Sequence, residues 1–289
     1  MSPTLIDPVQ LMSLQQDQSV VIDTRAPEAY LAGHIPGAVN VREIFTYLAR
    51  SDPEGIAELQ STFADLFGKA GLSGREHAVL YEDAMNTGFG QSCRGYFLLR
   101  SLGYDNVSIL HGGYEAWVAA GLPVSTDPAS SGNGVFPLNP QFEQFMVTKE
   151  EMLEAIGKEN MVILDVRDRD EWEGLSSSPY GVDFCPRKGR IPGAVWIEWL
   201  KLMQEDKVVP GLPVKFQSKH EILQACREVG IDEHKLIYVY CFKGARASNT
   251  FVALQEAGIK KVKIYFGSWN EWSRDESLPI EEGRAVNDV

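Results

Sequence analysis

Leu236-Ile-Tyr-Val-Tyr-Cys-Phe-Lys-Gly-Ala-Arg-Ala-Ser-Asn249 reads as a strand, a short loop and the start of a helix. The β-branched and aromatic run Leu236–Tyr240 favours a strand. Ala247–Ala257 favours a helix, closed by Gly258. Between them lie Cys241, Phe242, Lys243, Gly244, Ala245 and Arg246. Loop amides and a helix N-terminus both stabilise negative charge, and Lys243 and Arg246 add to it, so sulfur at this point is favoured as thiolate. The competing reading of Cys241 is a buried structural cysteine beside an apolar run. Its place past the strand end, the glycine at 244 and the basic residues favour a nucleophile.

Working outward, strand and helix signals alternate. Thr148-x-x-Glu151 and Ser218-x-x-Glu221 are capping boxes that open helices, and Asp7-Pro8 is a cap with proline at the first helical position. Strands are expected at 162–166, 236–240 and 262–265, and a short helix near Trp269. Such alternation predicts an α/β fold with parallel strands and helices on both faces. Ligands then bind at the carboxyl ends of the strands, where Cys241 falls.

The chain repeats itself. Val20–Arg25 matches Val162–Arg167, His34–Val39 matches Arg190–Val195, Ala78–Glu82 matches Ile237–Cys241, and Ile109–Trp117 matches Ile264–Trp272. Four blocks in one order mean two copies of one domain. Composition places the first domain at 1–124, a linker at 125–141 and the second domain at 142–289. The second copy carries an insertion, Leu175 to Lys188, followed by Arg190.

With 289 residues, two domains are expected. A net charge of −13 argues against nucleic acid or an anionic membrane as partner. An anionic substrate must therefore be attracted locally, by Lys243 and Arg246. The first residues lack signal-peptide character, and no apolar run approaches the ~20 residues of a membrane span. Cys93, Cys185, Cys226 and Cys241 show no metal or disulfide spacing, so a cytoplasmic location is expected. Cys226 reads as core, and Cys185, in the insertion, as an exposed position. None of the five histidines is assigned to catalysis.

The place of Cys241 in the first copy belongs to Glu82, which repels anions and carries no sulfur. The first copy is therefore read as a structural partner. Asp23 and Asp165 read as loop ties paired with Arg25 and Arg167 rather than as catalytic acids. Arg167 is also a candidate for the substrate pocket. The basic cluster at 187–190 reads as solvated.

At these residues the chain resembles the tandem-domain rhodanese family of sulfurtransferases. Tyr30-Leu-Ala-Gly-His-Ile-Pro-Gly-Ala38 matches the family's amino-side signature, and Ile264-Tyr-Phe-Gly-Ser-Trp-Asn-Glu-Trp272 its carboxyl-side signature. The resemblance implies two rhodanese-like domains, an inactive first copy and a persulfide on Cys241. It also implies a thiosulfate sulfurtransferase needing no metal or organic cofactor. Its partners would be a small sulfur-donor anion and a thiol or cyanide acceptor, or a protein that donates or accepts persulfide.

The loop Cys241-Phe-Lys-Gly-Ala-Arg246 departs from both familiar substrate signatures, Cys-Arg-Lys-Gly-Val-Thr for thiosulfate and Cys-Gly-Ser-Gly-Val-Thr for 3-mercaptopyruvate. Lys243 and Gly244 agree with the first, and a second positive charge favours a dianion. 3-Mercaptopyruvate remains the alternative donor, and a non-catalytic persulfide carrier the alternative class. Phosphatases of this fold use Cys-x5-Arg; the spacing here is Cys-x4-Arg, which goes with sulfur substrates.

Overall fold

The computed structural model describes residues 2–14, 18–129, 132–204, 214–232 and 234–283. Ten strands form two five-stranded sheets, one in each copy. The first copy contributes β1 (Leu5–Ile6), β2 (Ser19–Asp23), β3 (Val39–Asn40), β4 (His77–Tyr81) and β5 (Val107–Leu110). The second contributes β6 (Met146–Val147), β7 (Met161–Asp165), β8 (Val195–Trp196), β9 (Leu236–Tyr240) and β10 (Val262–Tyr265).

The strand orders are β1-β5-β4-β2-β3 and β6-β10-β9-β7-β8, and every pairing is parallel. Adding five to each label of the first order reproduces the second, so the duplication extends to topology. Helices flank each sheet; the two expected capping boxes are formed at Thr148 and Ser218, and the expected cap at Asp7 proves to be a third, with Gln10.

The β7 connection runs outward to β8, whereas the β9 connection runs the other way to β10. The connections leaving the carboxyl ends of the paired strands β7 and β9 therefore diverge, leaving the crevice in which open α/β sheets bind ligands. Asp165 and Asp168 leave the end of β7, and Cys241 leaves the end of β9. The site is thus set by topology before any side chain is considered.

By internal contacts the chain divides into two units, Met1–Tyr47 with Ala57–Phe142 and Met203–Phe216, and Leu48–Ile56 with Glu143–Leu202 and Gln217–Val289. Residues 48–56, placed in the first domain by composition, group with the second unit, and 203–216 with the first, apart from 205–213, which lie outside the described residues. The composition linker 125–141 groups with the first unit, apart from Ser130 and Ser131, which lie outside the described residues. Backbone pairing explains this: His34 and Ser125 exchange two bonds at 2.9 Å, and the Asn139 and Gln141 amides donate to Leu102 and Ser101 at 3.0 and 2.7 Å.

Each domain is locked by the same polar network under its sheet end. In the second, Arg167 donates from Nε and Nη2 to Asp165 at 2.6–3.0 Å and from Nη2 to the Gly189 carbonyl at 2.7 Å. The Tyr240 hydroxyl donates to Asp165 at 2.5 Å and accepts from the Ile191 amide at 3.1 Å. In the first, Arg25, Asp23, Tyr81, Gly33 and Ile35 repeat these bonds. Fully buried ions survive only when paired and hydrogen-bonded, which is what the network supplies. Asp23 and Asp165 also accept the Arg25 and Arg167 amides at 2.8 and 2.9 Å, tying their loops as expected.

Candidate active site

The helix after β9 begins at Ala245, two residues earlier than its composition suggests, because Gly244 caps it in the left-handed region at φ 91°. A Cβ there would lie 2.9 Å from Phe266 Cδ2. Left-handed backbone and close approach together leave only glycine. The Gly244 amide donates to Cys241 Sγ at 3.1 Å, so the helix N-terminal region points its positive end at the sulfur.

The loop is held from below by the segment after β10. Trp269 and Asn270 amides donate to the carbonyls of Cys241 and Phe242 at 3.0 and 2.9 Å. The Ser268 hydroxyl accepts the Cys241 amide at 3.3 Å and donates to the Tyr265 carbonyl at 2.8 Å. Phe242 and Ala245 are buried and fix the loop through packing and backbone. Lys243 lies with its ammonium 5.3 Å from the Tyr180 ring centroid, and that ring is 5.3 Å from the Phe242 ring. Tyr180 comes from the insertion, which thus caps the loop with an aromatic face.

Arg246 is the chief difference from expectation. Being in the first helical turn, its side chain is directed to the end of β7. It donates to both Glu171 oxygens at 2.6 and 3.0 Å and lies 3.0 Å from Asp168 Oδ1. Burial alone would lower its pKa, but Glu171, then Cys241 and Asp168, outweigh that and hold it above its ordinary value. Its guanidinium is committed to two carboxylates rather than turned to a substrate oxyanion. Glu171 was missed in the sequence; the signal was the Asp168-x-x-Glu171 capping box following the Asp-x-Arg strand end.

Arg167 also departs from its expected place in a substrate pocket. It is fully buried and serves the lock shared with the first copy, which has no cysteine at the strand end. Its Nη1 has no acceptor among the described residues; in the first copy the matching Nη1 of Arg25 meets Asp83 at 3.2 Å, whose place here is taken by Phe242. In the cluster at 187–190, Lys188 is exposed as expected, but the two arginines are not solvated. Arg187 donates to the carbonyls of Trp272, Ser273, Asp275 and Leu278, and Arg190 to those of Trp172 and Gly283 and to Glu281. Carbonyls freed by the turn after the last helix need donors, and these arginines provide them.

Cys185, expected to be exposed, is fully buried, and burial pushes its thiol up to about 11. Cys226 is core, as its helical pattern indicated. Among the described residues there is no metal-type group of histidine, cysteine, aspartate and glutamate, and no helix is long and apolar enough to cross a membrane.

Glu82 shows what the first copy does with the same geometry. Its carboxylate turns into its own helix N-terminus, accepting the Gln91 amide at 2.8 Å and the Ser92 hydroxyl at 2.9 Å. A built-in carboxyl group thus fills the cradle. Burial pushes Glu82 up to about 8 against the pull of those bonds.

Beside the Arg246 pair lies a cleft of about 380 Å³ lined by Asp168, Asp170, Glu171, Glu198, Ser176 and Ser178 together with Arg169 and Pro179. Its lining is predominantly acidic.

Comparison with known proteins identifies the family. The thiosulfate sulfurtransferase of Azotobacter vinelandii is 28% identical over 280 residues, covering 96% of this chain and 97% of that protein. A putative thiosulfate sulfurtransferase of Synechococcus elongatus is 32% identical over 279 residues, covering 93% and 82%. Among solved structures, EanB in complex with ergothioneine superposes with a TM-score of 0.81 at 25% identity, covering 98% of this chain and 70% of EanB. The rhodanese-like domain matches twice, at residues 7–120 and 148–275, and the chain therefore belongs to the rhodanese-like family.

Proposed function

We propose that the protein is a double-displacement sulfurtransferase that takes sulfane sulfur from thiosulfate onto Cys241 and passes it to a thiophilic acceptor. The observation that carries this reading is the Gly244 amide on Cys241 Sγ at the end of the central strand, in one copy only. The names of the relatives support thiosulfate as donor.

In the first half-reaction the Cys241 thiolate attacks the outer sulfur of thiosulfate. The donor's S–S bond breaks, sulfite leaves with the bonding pair, and Cys241 holds a persulfide. In the second, cyanide attacks the outer persulfide sulfur, thiocyanate leaves and the thiolate returns; a thiol acceptor departs as its own persulfide. The loop amides and helix N-terminus stabilise the anionic sulfur, and Lys243 supplies positive charge for the departing oxyanion. Thiosulfate incubation followed by intact mass tests the reading. A gain of one sulfur in wild type and none in Cys241→Ser is expected; no gain in wild type would sink it.

A second reading concerns the acceptor. The cleft beside the Arg246 pair, with four carboxylates and one arginine in its lining, favours a molecule that carries a cationic group over cyanide. An anaerobic ergothioneine biosynthesis enzyme from Chlorobium limicola, similar in structure to this chain, has been solved in complex with its natural substrate trimethyl histidine, a molecule that carries a permanent quaternary ammonium beside its carboxylate. Persulfidated enzyme mixed with trimethyl histidine should then lose its extra sulfur to it; sulfur retained on Cys241 counts against this acceptor.

A further inference from the structure

We propose that Glu171 sets the charge of the Cys241 loop: by holding the Arg246 guanidinium it removes that charge from donor recognition and lowers selectivity for doubly charged donors. The statement about donors rests on the sulfurtransferase reading; the statement about charge at the sulfur does not.

The argument begins with the count of charges. Arg246 closes the Cys-x4-Arg loop and, taken alone, gives the loop a second cation beside Lys243. In the structure two carboxylates meet that one guanidinium, Glu171 through two bonds of 2.6 and 3.0 Å and Asp168 at 3.0 Å. The Glu171 side chain is 3% exposed and that of Asp168 41%. Water screens the exposed carboxylate strongly and the buried one little, so Glu171 dominates the field.

A planar guanidinium held bidentately has its fork occupied. It cannot present the same two N–H groups to an oxyanion without breaking a buried pair, and separating such a pair leaves an uncompensated buried charge. The loop therefore recognises a donor with Lys243 and backbone amides, while Arg246 braces the helix start against the end of β7. Glu171 acts through Arg246 and is a positioning residue. The first copy has no such pair: Ser92 stands where Arg246 does, as the second residue of the helix, and donates to Glu82.

Glu171→Gln keeps the side-chain shape and an acceptor but removes the charge. Cys241 in the full-length protein is alkylated with iodoacetate, an anion, and with iodoacetamide, its neutral counterpart, and the Cys241 peptide is quantified by mass spectrometry. The ratio of the two rates cancels changes in access and in thiolate fraction. Glu171→Gln is expected to raise the iodoacetate to iodoacetamide ratio about threefold to tenfold at low ionic strength, and salt should shrink the gain. Asp168→Asn, at a more exposed position, should raise it by less. An unchanged or lower ratio in folded Glu171→Gln overturns the proposal. If circular dichroism shows that variant unfolded, Asp168→Asn decides, and no rise there overturns it.

In turnover, Glu171→Gln should lower KM for thiosulfate, a dianion, several-fold relative to KM for 3-mercaptopyruvate, a monoanion. A uniform loss of kcat with both donors, at an unchanged KM ratio, is what a merely structural role gives and counts against the proposal. If neither donor loads sulfur onto wild type, the sulfurtransferase reading fails, while the alkylation ratio still judges Glu171.

Discussion

Glu82 and Cys241 occupy one backbone position in two copies of one fold. The Glu82 carbonyl accepts the Tyr114 amide at 2.8 Å, and the Cys241 carbonyl accepts the Trp269 amide at 3.0 Å. The backbones are alike; the side chains divide the labour. Glu82 satisfies its own cradle with a carboxylate, whereas the Cys241 cradle has sulfur.

That difference predicts which cysteine substitutions matter. Cys241→Ser should abolish sulfur loading from thiosulfate. Placing a cysteine at 82 in the same protein should not restore it. The loop there runs eight residues before its helix, Asp83 to Gly90, with no basic residue. Intact mass after thiosulfate treatment of the double variant checks this, and a one-sulfur gain would refute it.

Glu82 also gives the first domain a pH dependence. Its folded pKa, about 8, lies above the ordinary carboxylate value of 4.5. The folded chain therefore binds the proton more tightly than the unfolded chain, and stability declines as pH rises from about 4.5 to about 8. Glu82→Gln removes that titration. Its Tm relative to wild type should climb across this range, as measured by thermal melts at several pH values; a constant difference would contradict the assignment.

Gly244→Ala tests the loop geometry. Left-handed backbone at a non-glycine residue costs about 1–3 kcal/mol, and the added Cβ meets Phe266 at 2.9 Å. Urea denaturation should show a loss of at least that order, with persulfide formation slowed tenfold or more. Full activity in this variant would mean that the loop does not need its present form.

Tyr240→Phe and Tyr81→Phe test the duplicated lock. Each removes a hydroxyl donor from a buried aspartate at 2.5 Å, a loss of about 1–3 kcal/mol. Similar losses in the two variants are expected from urea denaturation. Only Tyr240→Phe, next to Cys241, should also alter the rate of sulfur loading.

Tyr180 tests the insertion. A half-exposed ring facing an ammonium contributes about 0.5–1 kcal/mol, so Tyr180→Ala should raise KM for thiosulfate about twofold to fivefold with little change in kcat. Tyr180→Phe keeps the ring and should behave as wild type.

The duplication, the parallel α/β order and the cysteine at the end of the central strand were legible in the chain because each is a local pattern: matched blocks, alternating strand and helix signals, and a cysteine leaving a β-rich run. The first copy's lack of a nucleophile was legible for the same reason, through Glu82. The destinations of the charges were not. Arg246 looks like an anion ligand when its neighbours are Ala245 and Ala247, yet its partner Glu171 stands 75 positions away. Arg187 looks solvated in its insertion and instead collects carbonyls some 85 to 91 positions later.

By itself, then, the sequence determined which backbone is built, that it is built twice, and which copy has a cysteine at the end of its central strand. Only the tertiary structure decided which cations are spent inside the protein and on which partners. The physical reason is reach. Secondary structure follows from residues a few places apart, whereas a buried ion must find its counter-charge wherever the fold brings one within about 3 Å. Here the pairing of β7 with β9 to their carboxyl ends brings Glu171 to Arg246.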